Sequence, residues 1–115
     1  MFDFQKLDIY KKSKTFYIDC KNILSETKLE NYVKDQLSRA AFSVPLNIAE
    51  GSGKFSKADR KNYFTTSRAS LHECVAVLDI LHDEKKIDTK LYQKLLVEAD
   101  EISRILFTMI KNLTN

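Results

Sequence analysis

At 115 residues, with 43% hydrophobic and 30% charged positions, the chain has the size of one domain and the make-up of a globular protein. One proline and two glycines argue against a turn-rich β fold and for long uninterrupted helices. The net charge of +3 permits a phosphate-binding face but is not the signature of a strongly basic nucleic-acid binder, although residues 1–68 hold 13 Lys/Arg against 8 Asp/Glu.

Four segments repeat apolar residues with helical period. In the first, Ile9, Ser13, Phe16, Cys20 and Ile23 make one stripe, widened by Tyr10, Tyr17 and Leu24, and the spacing predicts a helix over about residues 7–25. Residues 1–6 precede it as a short arm. The second helix is predicted over 29–50 from Val33, Leu37, Ala40, Val44 and Ile48. The apolar pattern runs on through both sides of Pro45, so Pro45 is expected inside this helix. There it removes the hydrogen bond to the Ala41 carbonyl, costs about 3 kcal/mol and kinks the helix. Gly51 is expected to end it as a left-handed cap.

The third helix is predicted over 57–84, opened by Ser56 and Asp59 as a capping box variant. Its seam is Phe64, Ser67, Leu71, Cys74, Leu78 and Leu81. The fourth is predicted over 89–113, capped by Asp88 with Ile87 and Tyr92 as a hydrophobic staple. Its seam runs Tyr92, Leu95, Ala99, Ile102, Leu106, Met109 and Leu113. Short connections imply antiparallel neighbours, so the expected fold is a single all-α domain, an up-down-up-down four-helix bundle. The fourth helix also carries Leu91, Leu96, Val97, Ile105, Phe107 and Ile110 off its seam. That surplus predicts a second buried contact, most simply with another copy of the chain.

No apolar run approaches a membrane span, and none at the N-terminus resembles a signal peptide. A cytoplasmic location without a membrane partner is expected, with Cys20 and Cys74 reduced. Both cysteines fall on apolar seams, as buried inert thiols do.

The motifs that carry chemistry are missing or incomplete. Gly51-Ser52-Gly53-Lys54 looks like a phosphate loop, but the glycine the pattern requires falls at Ile48 and Phe55 stands where magnesium needs a hydroxyl. Asp79-x-x-His82 has no second copy, so no di-metal site and no cofactor is expected. Arg68 and His72 miss by one residue the Arg-x4-His spacing of the helical HEPN nucleases. A catalytic role is not expected, with nuclease the weak alternative.

The stretch QLSRAAFSVPLNIAEG, residues 36–51, resembles the signature of the four-helix proteins encoded within intervening sequences of bacterial 23S ribosomal RNA genes. Arg39, Pro45, Asn47, Glu50 and Gly51 are among the matching positions; Ser38 replaces an arginine. A second element of that family is matched by Arg68, Ser70, Leu71 and Glu73, with Ala69, Cys74 and Val75 departing from it. The resemblance implies a left-handed bundle. It also implies similarity to the accessory protein of diversity-generating retroelements, a barrel-shaped homopentamer with a basic channel that binds nucleic acid.

Two functions follow as expectations. The first is a non-catalytic homo-oligomer, a homopentamer by resemblance, that binds RNA or DNA through Lys54, Lys57, Arg60, Lys61 and Arg68, with Tyr63 and Phe64 among them. The second is an adaptor that binds another protein through its assembled surface. Under either, Asn47 is expected to support the backbone near Pro45, and Glu50 to pair with Arg39, Arg68 or a neighbouring subunit.

Overall fold

Four α-helices and one short 3-10 turn make up the computed structural model, which describes residues 1–114. The helices are α1 (Asp8–Glu26), α2 (Asn31–Ser52), α3 (Lys57–Asp83) and α4 (Thr89–Asn112). The N-terminal arm is ordered by its own chemistry. Residues Asp3–Lys6 form the 3-10 turn, and the Phe4 ring meets Tyr10 edge-on at 4.9 Å.

Each helix buries the stripe that its period dictates. The buried residues of α1 are Ile9, Ser13, Phe16, Cys20 and Ile23, and those of α3 are Phe64, Ser67, Leu71, Cys74, Leu78 and Leu81. The two serines enter the core with their hydroxyls satisfied: Ser13 Oγ donates to the Ile9 carbonyl at 2.7 Å and Ser67 Oγ to the Val44 carbonyl at 2.8 Å. A buried hydroxyl without such a partner would be costly. Ser56 Oγ accepts from the Asp59 amide at 3.1 Å and Asp88 Oδ1 from the Leu91 amide at 2.8 Å, so both expected caps are made.

The α3–α4 turn has a feature no glycine marks. Lys85 adopts φ 61°, the left-handed conformation. The Lys86 amide donates to the Leu81 carbonyl at 2.9 Å and the Lys85 amide to the His82 carbonyl at 3.0 Å. That pair of bonds is a Schellman closure, which usually recruits glycine.

Gly51 corrects an expectation. It is not a left-handed cap: α2 runs through it to Ser52, and no glycine has positive φ. It is buried, and a Cβ built on it would lie 2.8 Å from Phe64 Cε1 and 2.8 Å from Tyr63 Cβ. The residue is small because α3 passes against it. The helix end expected at Gly51 falls after Ser52, and the chain turns in residues 53–56.

The helices pack in a cycle, α1 on α2, α2 on α3, α3 on α4 and α4 on α1, most extensively at α2/α3 and least at α1/α4. Across α2/α3, Ser43 meets Ser70 and Val44 meets Ser67, while Gly51 meets Phe64. Across α3/α4, Arg68 meets Ser103 and Asp79 meets Tyr92; across α1/α4, Lys12 meets Glu101 and Asp19 meets Lys94. The molecule measures 43 × 26 × 22 Å.

The surplus apolar residues of α4 divide. Leu91, Ile105 and Ile110 pack against the core, whereas Val97 and Phe107 are exposed. Leu96 lines a shallow groove with Leu71, His72 and Val75 on the α3/α4 face. Among the described residues no helix is long and apolar enough to cross a membrane.

Candidate nucleic-acid interface

The sequence signature of α2 builds a helix seam. Pro45 is buried within α2 and has no amide hydrogen to continue the ladder. The carbonyl of the peptide bond preceding it, Val44, receives the Ser67 hydroxyl from α3. Asn47 Nδ2 donates to the Ser43 carbonyl at 2.9 Å and to Ser43 Oγ at 2.8 Å. Ser43 Oγ in turn lies 2.8 Å from Ser70 Oγ. Asn47 thus bonds the backbone one turn back, just before Pro45, and extends a polar chain to α3. Pro45, Asn47, Gly51 and Ser70 meet on this seam, where they set how closely α2 and α3 approach.

Three signature residues stand apart from it. Arg39, Glu50 and Glu73 are exposed and make no ion pair among the described residues. The intrachain pairing expected of Glu50 with Arg39 or Arg68 is therefore not made. Glu50 lies on the open face of α2, whereas Arg68 turns toward α4.

The five basic residues expected to bind phosphate do not act alike. Lys54 Nζ sits 5.1 Å above the Tyr63 ring, and the Lys54 carbonyl accepts from Arg60 Nε at 2.6 Å. Arg60 also lines a cleft of about 380 Å³ with Phe64, Met109 and Leu113. Lys57 is exposed and Lys61 half-buried, and neither has an acidic partner among the described residues. Arg68 is committed to the fold: Nε donates to the Ser103 carbonyl at 3.3 Å and the guanidinium lies 5.4 Å over Phe107. Lys54, Lys57, Arg60 and Lys61 thus gather around the α2–α3 turn, and Arg68 stands away from them.

A second basic surface lies on α1, among residues the charge reading passed over. Lys11, Lys14 and Lys21 are exposed and free of ion pairs among the described residues. Lys14 Nζ stands 4.8 Å from the Tyr10 ring centre and Lys21 Nζ 5.7 Å from that of Tyr17, which packs at 5.5 Å on the exposed Phe42. The signal is legible in retrospect: Tyr-x-x-x-Lys occurs at 10/14 and again one heptad later at 17/21.

The other candidate chemistry dissolves into packing. His72 Nδ1 lies 3.0 Å from the Arg68 carbonyl, so this pair meets through backbone. His82 stacks on Tyr92 at 4.4 Å and its Nε2 lies 3.0 Å from Thr89 Oγ1, while the Tyr92 hydroxyl donates to Asp79 at 2.7 Å. Among the described residues no three His, Cys, Asp or Glu gather as metal ligands. Cys20 and Cys74 are free and buried; burial pushes the Cys74 thiol up to about 12 and raises Cys20 further.

These features define an all-α protein of four helices that offers lysine-and-tyrosine surfaces. The chain belongs to the 23S rRNA-intervening sequence protein family, whose model matches residues 5–108. The chain is similar to the crystal structure of a protein of unknown function, from the S23 ribosomal protein family, of Bacteroides thetaiotaomicron. The TM-score is 0.84 at 24% identity, over 90% of this chain and 98% of that one, a likeness that shows the fold alone. No curated protein matches the chain.

Proposed function

We propose that this chain is a non-catalytic, self-assembling bundle that binds nucleic acid, RNA first, by phosphate contacts. The observation that carries the reading is the set of lysines without acidic partners beside tyrosine rings: Lys54 at Tyr63, Lys14 at Tyr10 and Lys21 at Tyr17. Such groups offer charge to phosphates and flat surface to bases, without reading sequence. Lys57, Arg60 and Lys61 extend the first surface and Lys11 the second.

The reading takes the bundle as antiparallel, up-down-up-down and left-handed. The antiparallel order is supported by the seam pairings, in which residue numbers rise on one helix as they fall on its neighbour, and the left hand by the family resemblance. Self-association, as a homopentamer by family resemblance, is supported by the exposed Val97 and Phe107 on α4. A ring of subunits would multiply each lysine surface. The proposed setting is the cytoplasm, where both thiols stay reduced.

The test is fluorescence anisotropy with a labelled structured RNA across a salt series, with the same sequence as DNA alongside. Binding that weakens linearly in log-log form supports the reading, with a slope of about −0.9 per phosphate contact on a duplex. Affinity insensitive to salt, or absent at low salt, overturns it. Exposed Phe42, Leu46, Val97 and Phe107 favour the second reading, an adaptor for another protein, whose binding would be indifferent to salt.

A further inference from the structure

The α1/α4 seam is the least extensive in the bundle, and a groove of about 760 Å³ runs along it. Ion pairs close its rim: Lys12 Nζ meets Glu101 Oε1 at 2.7 Å, and Lys94 Nζ meets Asp19 Oδ2 at 3.3 Å. Deeper in, the order of charges breaks down. Both carboxyl oxygens of Glu98 on α4 are buried and have no hydrogen-bond donor. The Lys94 ammonium stops 3.9 Å from Glu98 Oε2, beyond hydrogen-bond length. That same ammonium lies 3.3 Å from Asp19 Oδ2, so the carboxyls of Glu98 on α4 and Asp19 on α1 flank one cation and line one groove. The neutral Cys20 thiol also borders Glu98, and Asp8 and Lys11 stand along the same groove.

Two carboxylates facing one ammonium cannot satisfy each other, because both only accept. One proton resolves this: it turns one group into a donor and removes one of two repelling charges. A bound cation would also serve, but the Glu98 oxygens present almost no surface for a ligand to reach, and the ammonium of Lys94 already occupies the near side. A proton needs no room. We infer that the α1/α4 seam is closed by a proton shared between Glu98 and Asp19, and that its loss loosens α1 from α4.

The pH at which this operates follows from the surroundings. Burial, then the hydrogen bond and the negative charge of Asp19, raise Glu98 to about 7, against the lowering effect of Lys94. A carboxyl raised in the folded state binds its proton more tightly there than in the unfolded chain. Its stabilising contribution is full below the unfolded value, about 4.3, and is lost as pH climbs through the folded value. The seam is therefore tightest in mild acid and loosens across neutral pH. This inference is independent of nucleic-acid binding.

The experiment is a carbon-13 titration of the side-chain carboxyls of the full chain by NMR, with thermal melts of the wild type and Glu98→Gln in parallel. Expected are a Glu98 midpoint near neutral pH, and its fall toward the ordinary carboxylate range in Asp19→Asn, whose amide can donate. Glu98→Gln carries a permanent donor, so its melting temperature should match the wild type at pH 5 and exceed it at pH 8. A Glu98 midpoint near the ordinary carboxylate value overturns the inference, as does a wild-type melting temperature that keeps pace with that of the variant from pH 5 to 8. If Glu98→Gln does not fold, the wild-type titration alone decides.

Discussion

Ser67 of α3 donates its hydroxyl to the Val44 carbonyl of α2 at 2.8 Å, on the peptide bond that leads into Pro45. Pro45 removes the ladder bond to the Ala41 carbonyl, one turn back, and Ser67 adds a donor from the neighbouring helix to the Val44 carbonyl beside the proline. Both residues are fully buried, so water cannot take over. Ser67→Ala should lower stability by about 1–2 kcal/mol, because the carbonyl loses a buried donor. Urea denaturation measures it; a loss under a few tenths of a kcal/mol would mean that the carbonyl is satisfied within α2.

Asn47 and Ser43 extend the same seam. Asn47→Leu removes the donor to the Ser43 carbonyl and hydroxyl and leaves the Ser43–Ser70 bond unsupported. A loss of about 1 kcal/mol is expected. Ser70→Ala should cost less in the Asn47→Leu background than alone, since the two act through one chain. A double-mutant cycle in denaturant gives that coupling, and additivity would separate them.

Gly51→Ala places a methyl where the Tyr63 Cβ and the Phe64 ring already stand, each 2.8 Å away. Tyr63 Cβ is fixed to the backbone of α3, so the helices must part or the ring must turn. Overpacking of this kind costs about 1–3 kcal/mol. The outcome separates packing from capping: a left-handed cap would tolerate Asn, whereas a close approach rejects Asn more strongly than Ala. Thermal melts of both variants distinguish the two.

Lys85 is the opposite case. It holds the left-handed position of the α3 closure with a side chain that disfavours it. Lys85→Gly should raise stability by about 0.5–1 kcal/mol, relieving strain at some cost in unfolded-state entropy. No gain in the midpoint of denaturation would show that Lys85 is held there without strain.

The thiols give a kinetic check. Burial raises both, Cys74 to about 12, so almost no thiolate exists at pH 8 and neither sulfur is open to solvent. Labelling by a disulfide reagent should be negligible in the native protein and complete in denaturant. Rapid native labelling would mean that the bundle opens readily.

The helical stripes were legible from spacing alone. A period of 3.6 residues puts positions three and four apart on one side, and water drives the apolar side inward. Hence the buried sets of α1 and α3 are the stripes read from the chain, down to Ser13 and Ser67. The caps at Ser56 and Asp88 were legible for a similar reason, since a cap bonds within three residues of itself. Gly51, Arg68 and Glu98 were not. Gly51 is small because the Phe64 ring and the Tyr63 Cβ of the next helix lie against it, Arg68 is spent on a carbonyl of α4, and Glu98 is unusual because it is buried across a groove from Asp19. Periodicity reports which way a side chain points. What it meets there, and whether a charge finds a donor, depends on the packing of helices distant in the chain, and only the folded bundle decides it.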